Sequence, residues 1–366
     1  MSDKVKNIVV TICFLFFIFS VCILNILLPD KELSETERRK LYRFSELNVE
    51  NFNKEFEDYS LDQFVGRDFF RKIKAYVTYN IFNQKDNNKI YIVDGQVSKY
   101  NDFLYENSIV SASKKFNLLY EKYLNNMNVY YSVIPDKNYF IAEENGYPVM
   151  DYNKLINLMD ENIRDEIKYI DLFGELTIDD YYSTDIHWRQ ERLGNVLKKI
   201  SKEMDFSINS NFEYNKLENF YGNYYGQAAL PIDSENLIYC TNDVINSVKV
   251  KILNEETLTL EEAEIYNQEA YKGIDPYDIF LSGAKPLIII ENEKSISDKE
   301  LIIFRDSFGS SLVPLLIEGY KKITLVDLRY IASPLISEWV EFNENQDALI
   351  INCVDVLNNS TTLKVF

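Results

Sequence analysis

Short runs of consecutive apolar residues recur through the chain from about residue 90 onward, and they restrict its fold more than any other feature. Residues 129–134, 300–304 and 348–352 are the clearest, and helical patterns separate them. Strands that are apolar on both faces are typical of a parallel sheet covered by helices on both sides. The remaining predicted strands are residues 90–93, 168–172, 286–290 and 323–327. The sequence therefore predicts an α/β fold with a parallel central sheet in a three-layer α/β/α arrangement.

The N-terminal segment, residues 7–29, contains no charged residue. At about 1.5 Å per residue a helix of this length reaches roughly 30 Å or slightly more, which is enough to cross the hydrocarbon core of a membrane. A cleaved signal peptide would have a shorter apolar core and a small-residue cleavage site, and neither is present. The segment predicts a transmembrane anchor, with a buried helix of a soluble protein as the alternative.

The orientation of this anchor depends on the charges that flank it. Lys4 and Lys6 precede it, whereas the basic residues that follow are more numerous: Lys31, Arg38, Arg39, Lys40 and Arg43. If only these basic residues are counted, the positive-inside rule favours a cytoplasmic position for the large domain. Acidic residues are interleaved with the second group, however, and the two lysines lie closest to the membrane in a very short tail. We expect a single-pass protein of the cell membrane whose large domain is extracytoplasmic.

The rest of the chain divides by its patterns into two further parts. Residues 30–82 carry aromatic and aliphatic side chains at three- to four-residue spacing, which predicts a helical arm after the anchor at residues 1–29. Residues 83–366 follow as the α/β domain. The alternation of strands and helices is interrupted at about 207–286, which we interpret as an insertion.

The composition excludes several classes of function. The chain has 58 Asp and Glu against 39 Lys and Arg, a formal net charge of −19, and no basic block, so nucleic acid is not an expected partner. Its four cysteines show no C-x-x-C spacing and it has one histidine, so a Cys/His zinc site is excluded. Of the four, Cys240 and Cys353 lie in the folded part, and the sequence does not decide whether they form a disulfide.

The single histidine, His187, lies two residues after Asp185 and directly before Trp188. In a loop or extended turn, the Asp185 carboxylate can reach the His187 ring, hold one tautomer and favour the imidazolium. The alternative is a structural or surface histidine.

A candidate nucleophile, Ser307, follows the predicted strand at residues 300–304 and precedes a predicted helix. Ligands in open α/β sheets bind beyond the carboxyl ends of strands, and free N–H groups at the start of a helix can stabilise an oxyanion. His187 is the only imidazole that could activate the Ser307 hydroxyl. The alternative is a serine that serves only as a helix N-cap, and Asp306 is a further capping candidate.

The order of these motifs resembles that of the DHHW family and its relatives, the alginate O-acetyltransferases with an SGNH-hydrolase-like domain. Asp185, His187 and Trp188 precede Asp306 and Ser307, a permuted order relative to ordinary SGNH hydrolases. Ile186 replaces the first histidine of the family's Asp-His-His-Trp motif. Further matching segments are residues 37–41, 59–64, 67–68, 134–137, 277–283 and 326–329.

The resemblance implies a Ser307–His187–Asp185 triad, with Asn352 as a candidate oxyanion donor. It implies an esterase or O-acetyltransferase that acts on a cell-surface polysaccharide or its ester, without metal or other cofactor, and with a membrane protein as acyl donor. One alternative is a non-catalytic envelope protein that binds glycan or supports assembly, favoured if the three side chains lie far apart. Another is a lipid or peptide-ester esterase; a deep apolar tunnel would favour lipid, and an open groove with polar and aromatic walls would favour sugar.

Overall fold

The computed structural model describes residues 2–34, 36–37, 39–208 and 211–366. Arg38, counted above among the basic residues and in the matching segment 37–41, lies outside the described residues, as do positions 209 and 210 of the predicted insertion. The chain forms two compact units: Met1–Asn87 with Tyr225–Ile232, and Asn88–Tyr224 with Asp233–Phe366.

The first unit begins with the predicted N-terminal helix. Its elements are α1 (Asp3–Leu27), β1 (Leu33–Ser34), β2 (Arg39–Lys40), α2 (Phe52–Asp62) and α3 (Arg67–Tyr76). Within the part of the chain that the structure describes, α1 is the helix long and apolar enough to cross a membrane, with a mean hydropathy of 2.7 and no buried residue. The short antiparallel pair β1–β2 lies within the segment predicted to be mostly helical.

The second unit contains the central sheet and its helices. Its elements are β3 (Ile90–Val93), β4 (Gln96–Lys99), α4 (Glu106–Leu119), β5 (Asn128–Ile134), α5 (Lys137–Ile141), α6 (Tyr152–Asn162), β6 (Ile167–Tyr169), α7 (Gly194–Glu203), β7 (Glu213–Phe220), the start of α8 (Asn223–Ala228), β8 (Glu235–Thr241), β9 (Lys249–Leu253), β10 (Leu260–Ala263), α9 (Gln268–Tyr271), β11 (Leu287–Glu291), β12 (Glu300–Arg305), α10 (Ser307–Leu316), β13 (Lys322–Val326), β14 (Gln346–Cys353) and α11 (Val354–Asn358).

Eight strands form the central sheet in the order β10-β9-β11-β13-β12-β14-β5-β6. The five strands from β13 to β6 are parallel. Every residue of β14 is buried, because this central strand is covered on both faces. Helices α4, α6 and α11 pack together, as do α7 and α10. The predicted α/β class, with helices on both sides of a largely parallel sheet, is confirmed.

Two predicted strands differ from the expected parallel set. β11 pairs antiparallel with β13, and residues 292–299 connect it to β12. A parallel crossover needs a dozen or more residues, so this short connection requires β12 to return in the opposite direction. β3 lies outside the central sheet and pairs with β4, around a turn in which Asp94 and Gly95 both have positive φ angles.

Leu349 provides a test of the core, because it lies in β14 and is fully buried. We expect Leu349→Ala to lower the free energy of unfolding by about 2–5 kcal/mol, since it removes buried apolar atoms and leaves a cavity. Denaturant unfolding of the full chain in detergent, followed by tryptophan fluorescence, measures the change. Leu335→Ala, at a position that is 46% exposed, is the matched control and should alter stability by no more than about 0.5 kcal/mol.

Candidate active site

Ser307 lies at the carboxyl edge of the central sheet, where β12 ends and α10 begins. The helix is capped by Asp306, whose Oδ1 accepts a hydrogen bond from the Phe308 amide at 3.0 Å. The other carboxylate oxygen of Asp306 accepts from the Cys353 amide at 2.6 Å and so joins the ends of β12 and β14. Because Asp306 is the N-cap, the alternative that Ser307 serves only as a cap is wrong.

The structure brings Ser307, His187 and Asp185 together. The Ser307 Oγ lies 2.8 Å from the His187 Nε2, and the His187 Nδ1 lies 2.6 Å from the Asp185 Oδ1. The same Asp185 oxygen accepts from the His187 backbone amide at 2.9 Å, which holds the two residues in a tight turn. Asp185 is fully buried and His187 is 7% exposed, whereas Ser307 is partly accessible.

The charges of this pair follow from its surroundings. Burial acts to raise the pKa of Asp185, but the His187 charge and several hydrogen bonds outweigh it and lower the pKa to about 2. Burial acts to lower the pKa of His187, and the Asp185 carboxylate opposes it and raises the pKa above its ordinary value. Because Asp185 is an ionised acceptor, the His187 Nδ1 carries a proton. In the neutral ring, Nε2 is then free to accept from the Ser307 hydroxyl.

Aromatic side chains fix the plane of the His187 ring. Tyr277 stacks on it with ring centres 3.8 Å apart and planes 6° apart, and Phe308 approaches to 4.9 Å. The Trp188 indole donates to the Phe308 carbonyl at 3.1 Å and to the Ser311 hydroxyl at 2.9 Å. The residue after the histidine is thereby attached to the helix that carries the serine, which maintains the distance between them.

The loop that carries Asp185 is held by a buried lysine. The Lys137 Nζ donates to the carbonyl oxygens of Tyr182 at 2.8 Å and Ser183 at 3.0 Å, and it also reaches those of Val97 and Asp185. Lys137 is 2% exposed, and burial lowers the pKa of its ammonium group to about 7.

A carboxylate holds the backbone amides of the same loop. Glu235 accepts from the Ser183 amide through one oxygen and from the Thr184 amide through the other, both at 2.9 Å. Lys137 therefore binds carbonyl groups of the loop while Glu235 binds its N–H groups. Lys137 lies in one of the family-like segments, but nothing in the sequence marked Glu235.

Gly222 and Asn223 complete the surroundings of Asp185. The Asn223 amide donates to the Asp185 Oδ2 at 2.6 Å. A Cβ atom on Gly222 would lie 2.3 Å from the Asp185 Cβ and backbone nitrogen, so only glycine fits this approach. A bond from a backbone N–H carries no side-chain signature, and the sequence placed these two residues only within the predicted insertion at about 207–286.

Asn352, the predicted oxyanion donor, lies near the end of β14, one residue before Cys353. It is 4% exposed, and its side-chain amide makes no hydrogen bond to any part of the chain that the structure describes. Its amide is therefore available to a ligand, and its role stays a prediction.

The open question about the cysteines is answered by the structure. Cys240 and Cys353 are both buried and both free, so they do not form a disulfide. Among the described residues, no group of three or more His, Cys, Asp or Glu side chains is arranged to hold a metal ion.

Comparison with known proteins supports the fold. No family model matches the chain, and no curated protein matches it by sequence. Among solved structures, a DHHW family protein from Eubacterium siraeum has a TM-score of 0.62 at 18% identity, covering 76% of this chain and 94% of that one. PatB1 from Bacillus cereus has a TM-score of 0.57 at 20% identity, covering 74% and 97%. The chain thus has the fold of a DHHW family protein, and the predicted resemblance is confirmed at this level.

A second structure of Bacillus cereus PatB1 contains a sulfonyl adduct. That structure matches this chain with a TM-score of 0.56 at 20% identity, covering 73% of this chain and 97% of the other.

The pKa of His187 can be measured directly, because no other histidine is present. We expect the imidazole to titrate above its ordinary value near 6.5, and Asp185→Asn to lower that pKa by removing the carboxylate. NMR of protein labelled with carbon-13 at the histidine Cε1 follows the titration. An unchanged pKa in Asp185→Asn would contradict the charge assignment.

Gly222→Ala tests the close packing behind Asp185. We expect a loss of about 1–3 kcal/mol in unfolding free energy, because the added methyl group must displace the Asp185 backbone. The NMR signal of His187 should shift as well. Gly174→Ala is the matched control, since a Cβ there meets no atom within 4 Å, and its thermal midpoint should equal that of the parent.

Proposed function

We propose that the chain is a membrane-anchored, extracytoplasmic esterase or O-acetyltransferase that acts on a cell-surface glycan. Ser307 is the nucleophile, His187 the general base and Asp185 the carboxylate that orients it. The observation that carries this proposal is the pair of contacts at 2.8 Å and 2.6 Å that joins the three side chains in that order.

The proposed reaction begins when His187 accepts the hydroxyl proton of Ser307 through Nε2 while Oγ attacks the carbonyl carbon of an ester. The imidazolium that forms is stabilised by Asp185, whose low pKa keeps it ionised. His187 then protonates the leaving alcohol, and an acyl-Ser307 intermediate remains. In the second half, His187 removes a proton from water or from a sugar hydroxyl, whose oxygen attacks the acyl carbon. The bond from that carbon to Oγ then breaks, and His187 returns the proton to Oγ, which restores the serine and releases the acid or the acylated sugar.

The negative charge of the tetrahedral intermediate requires donors that are already oriented. Ser307 is the first residue of α10, so its own backbone N–H lies at the positive end of the helix. The Asn352 side chain, at the same edge of the sheet and without another partner in the described structure, is proposed as the second donor.

A cavity in the same unit supports a glycan over a lipid. It measures about 430 Å³, and its walls are polar and aromatic. Its lining residues are Lys89, Lys99, Tyr100, Asn101, Tyr105, Tyr224, Asp355, Asn358 and Asn359. Tyr224 connects it with the candidate active site, because the preceding residue, Asn223, binds Asp185 and the Tyr224 amide donates to the Thr184 carbonyl at 2.9 Å.

The convergence of the three side chains supports an enzyme over a non-catalytic glycan-binding or assembly protein. A binding protein has no need for an ionised carboxylate, an oriented imidazole and a serine in hydrogen-bonded sequence. By resemblance, we also propose that a membrane protein supplies the acyl group for transfer.

The first test of the proposal is covalent labelling of the full chain with a fluorophosphonate or a sulfonyl fluoride, followed by intact mass measurement. We expect one adduct at Ser307, and a labelling rate at least about 100-fold lower in Ser307→Ala and in His187→Ala. The double variant should lose little more than either single variant, because the two side chains act as a unit.

Ser310→Ala is the control for this experiment. Ser310 lies in the same helix, is 1% exposed and has a hydroxyl without a partner among the described residues, so its removal should leave labelling unchanged. Folded parent protein that takes up no label, or independent and additive losses in the two single variants, would refute the triad.

Asn352→Ala tests the oxyanion donor separately. We expect kcat for hydrolysis of an aryl acetate to fall by about 100- to 1,000-fold with little change in KM, because the lost donor acts in the transition state. Wild-type kcat in this variant would remove Asn352 from the mechanism while leaving the triad in place.

A further inference from the structure

Helix α3 presents its charged side to the interior of its unit and its apolar side to the outside. At 100° per residue, Phe69, Phe70, Ile73 and Tyr76 fall within an arc of about 120°. They are 63%, 49%, 43% and 57% exposed, respectively. In a surface helix of a soluble protein the apolar stripe faces the core. In α3 the apolar stripe faces outward instead.

The inward side of α3 is held by ion pairs and by one small residue. Ala75 on this side is fully buried. The Arg67 guanidinium lies 2.5 Å from Glu37, and Arg71 lies 3.3 Å from the same carboxylate. Arg71 also donates to the Gly226 carbonyl at 2.9 Å, within the same unit. These contacts fix the rotation of α3 about its axis, so its aromatic side chains cannot turn inward.

The start of α3 is attached to the last turn of α1. The Val65 amide, two residues before α3, donates to the Asn25 Oδ1 at 2.8 Å. Gln63 forms two bonds of 2.9 Å with the backbone of Lys31, just after the apolar segment. Asn25 lies four residues before the end of that segment at Pro29. If α1 crosses a bilayer, the start of α3 is therefore held at the level of the headgroups.

The charges on the borders of the stripe fit the same location. Lys72 and Lys74 are exposed and lie on opposite borders of the arc formed by the apolar side chains. Lysine side chains at such positions can extend to lipid headgroups while their methylene groups cover apolar surface. Beyond the helix, two further apolar side chains of the same unit, Ile81 and Phe82, are 60% and 67% exposed.

We propose that the outer side of α3, formed by Phe69, Phe70, Ile73 and Tyr76, lies in the interface of the lipid bilayer that α1 spans. This inference rests on the membrane anchoring contained in the proposed function, and is independent of its catalytic part. The lipid surface is the favoured occupant because the chain itself attaches α3 to the end of the anchor. Burial of the aromatic side chains there removes an apolar patch from water.

The test uses the full chain reconstituted into phosphatidylcholine vesicles with or without bromine on the acyl chains, since bromine quenches nearby tryptophan. Phe69→Trp and Ile73→Trp each add one fluorophore to the native Trp188 and Trp339. We expect brominated lipid to remove roughly half of the added emission, and bromine near the headgroup end to quench more than bromine near the methyl end, as interfacial insertion requires.

Two control variants separate the possible failures. Tyr214→Trp, at a 62% exposed position of the second unit, should lose none of its added emission, whereas Phe16→Trp in α1 should be quenched most by bromine near the methyl end. Quenching of Phe16→Trp without quenching of Phe69→Trp or Ile73→Trp would overturn the proposal and favour a protein partner for α3. An unquenched Phe16→Trp would overturn it together with the anchor, whereas Ser307 labelling would still report on catalysis.

Discussion

The buried charge of Asp185 is the constraint on which the candidate active site depends. A carboxylate with no exposed surface is tolerated only when donors compensate for its lost hydration. Three donors do so here: the His187 amide, the His187 ring and the Asn223 amide. These contacts also shape the site. The His187 amide sets the turn between Asp185 and His187, the ring contact sets the tautomer of the imidazole, and the Asn223 amide brings Gly222 close to Asp185.

The buried ammonium group of Lys137 binds the same loop. Its presence is explained by the position that it gives the loop more than by a gain in stability. Removing an ammonium group from water is costly, and the lowered pKa of Lys137 expresses that cost. The loop residues between Tyr182 and Asp185 belong to no strand, and the Val97 amide of β4 satisfies only the Ser183 carbonyl. Lys137 binds their carbonyls and Glu235 binds their amides, so a non-repetitive segment acquires a defined position.

The sequence predicted those parts of the structure that depend on a pattern of side chains along the chain. Continuous apolar runs indicated strands such as β12 and β14, and the resemblance placed His187 and Ser307, which are 120 residues apart in the chain, in one site. The direction of β11 was missed, because an apolar run looks the same in either direction; the signal for it lay in the short connection at residues 292–299. Glu235 was missed because it binds backbone groups, which have no sequence signature.

A related limit applies to α3. Its sequence predicted a helix but did not show which way the apolar stripe of that helix faces. The apolar residues of a surface helix and those of a helix that rests on lipid recur at the same period, so the pattern specifies a stripe without saying which way it faces. The contacts on the opposite side decide the question. The ion pairs of Arg67 and Arg71 with Glu37 and the burial of Ala75 hold the charged side inward, and the aromatic stripe must then face outward. The proposed position of α3 in the bilayer interface, next to a first helix that has the length of a membrane span, gives this reversed arrangement a physical reason.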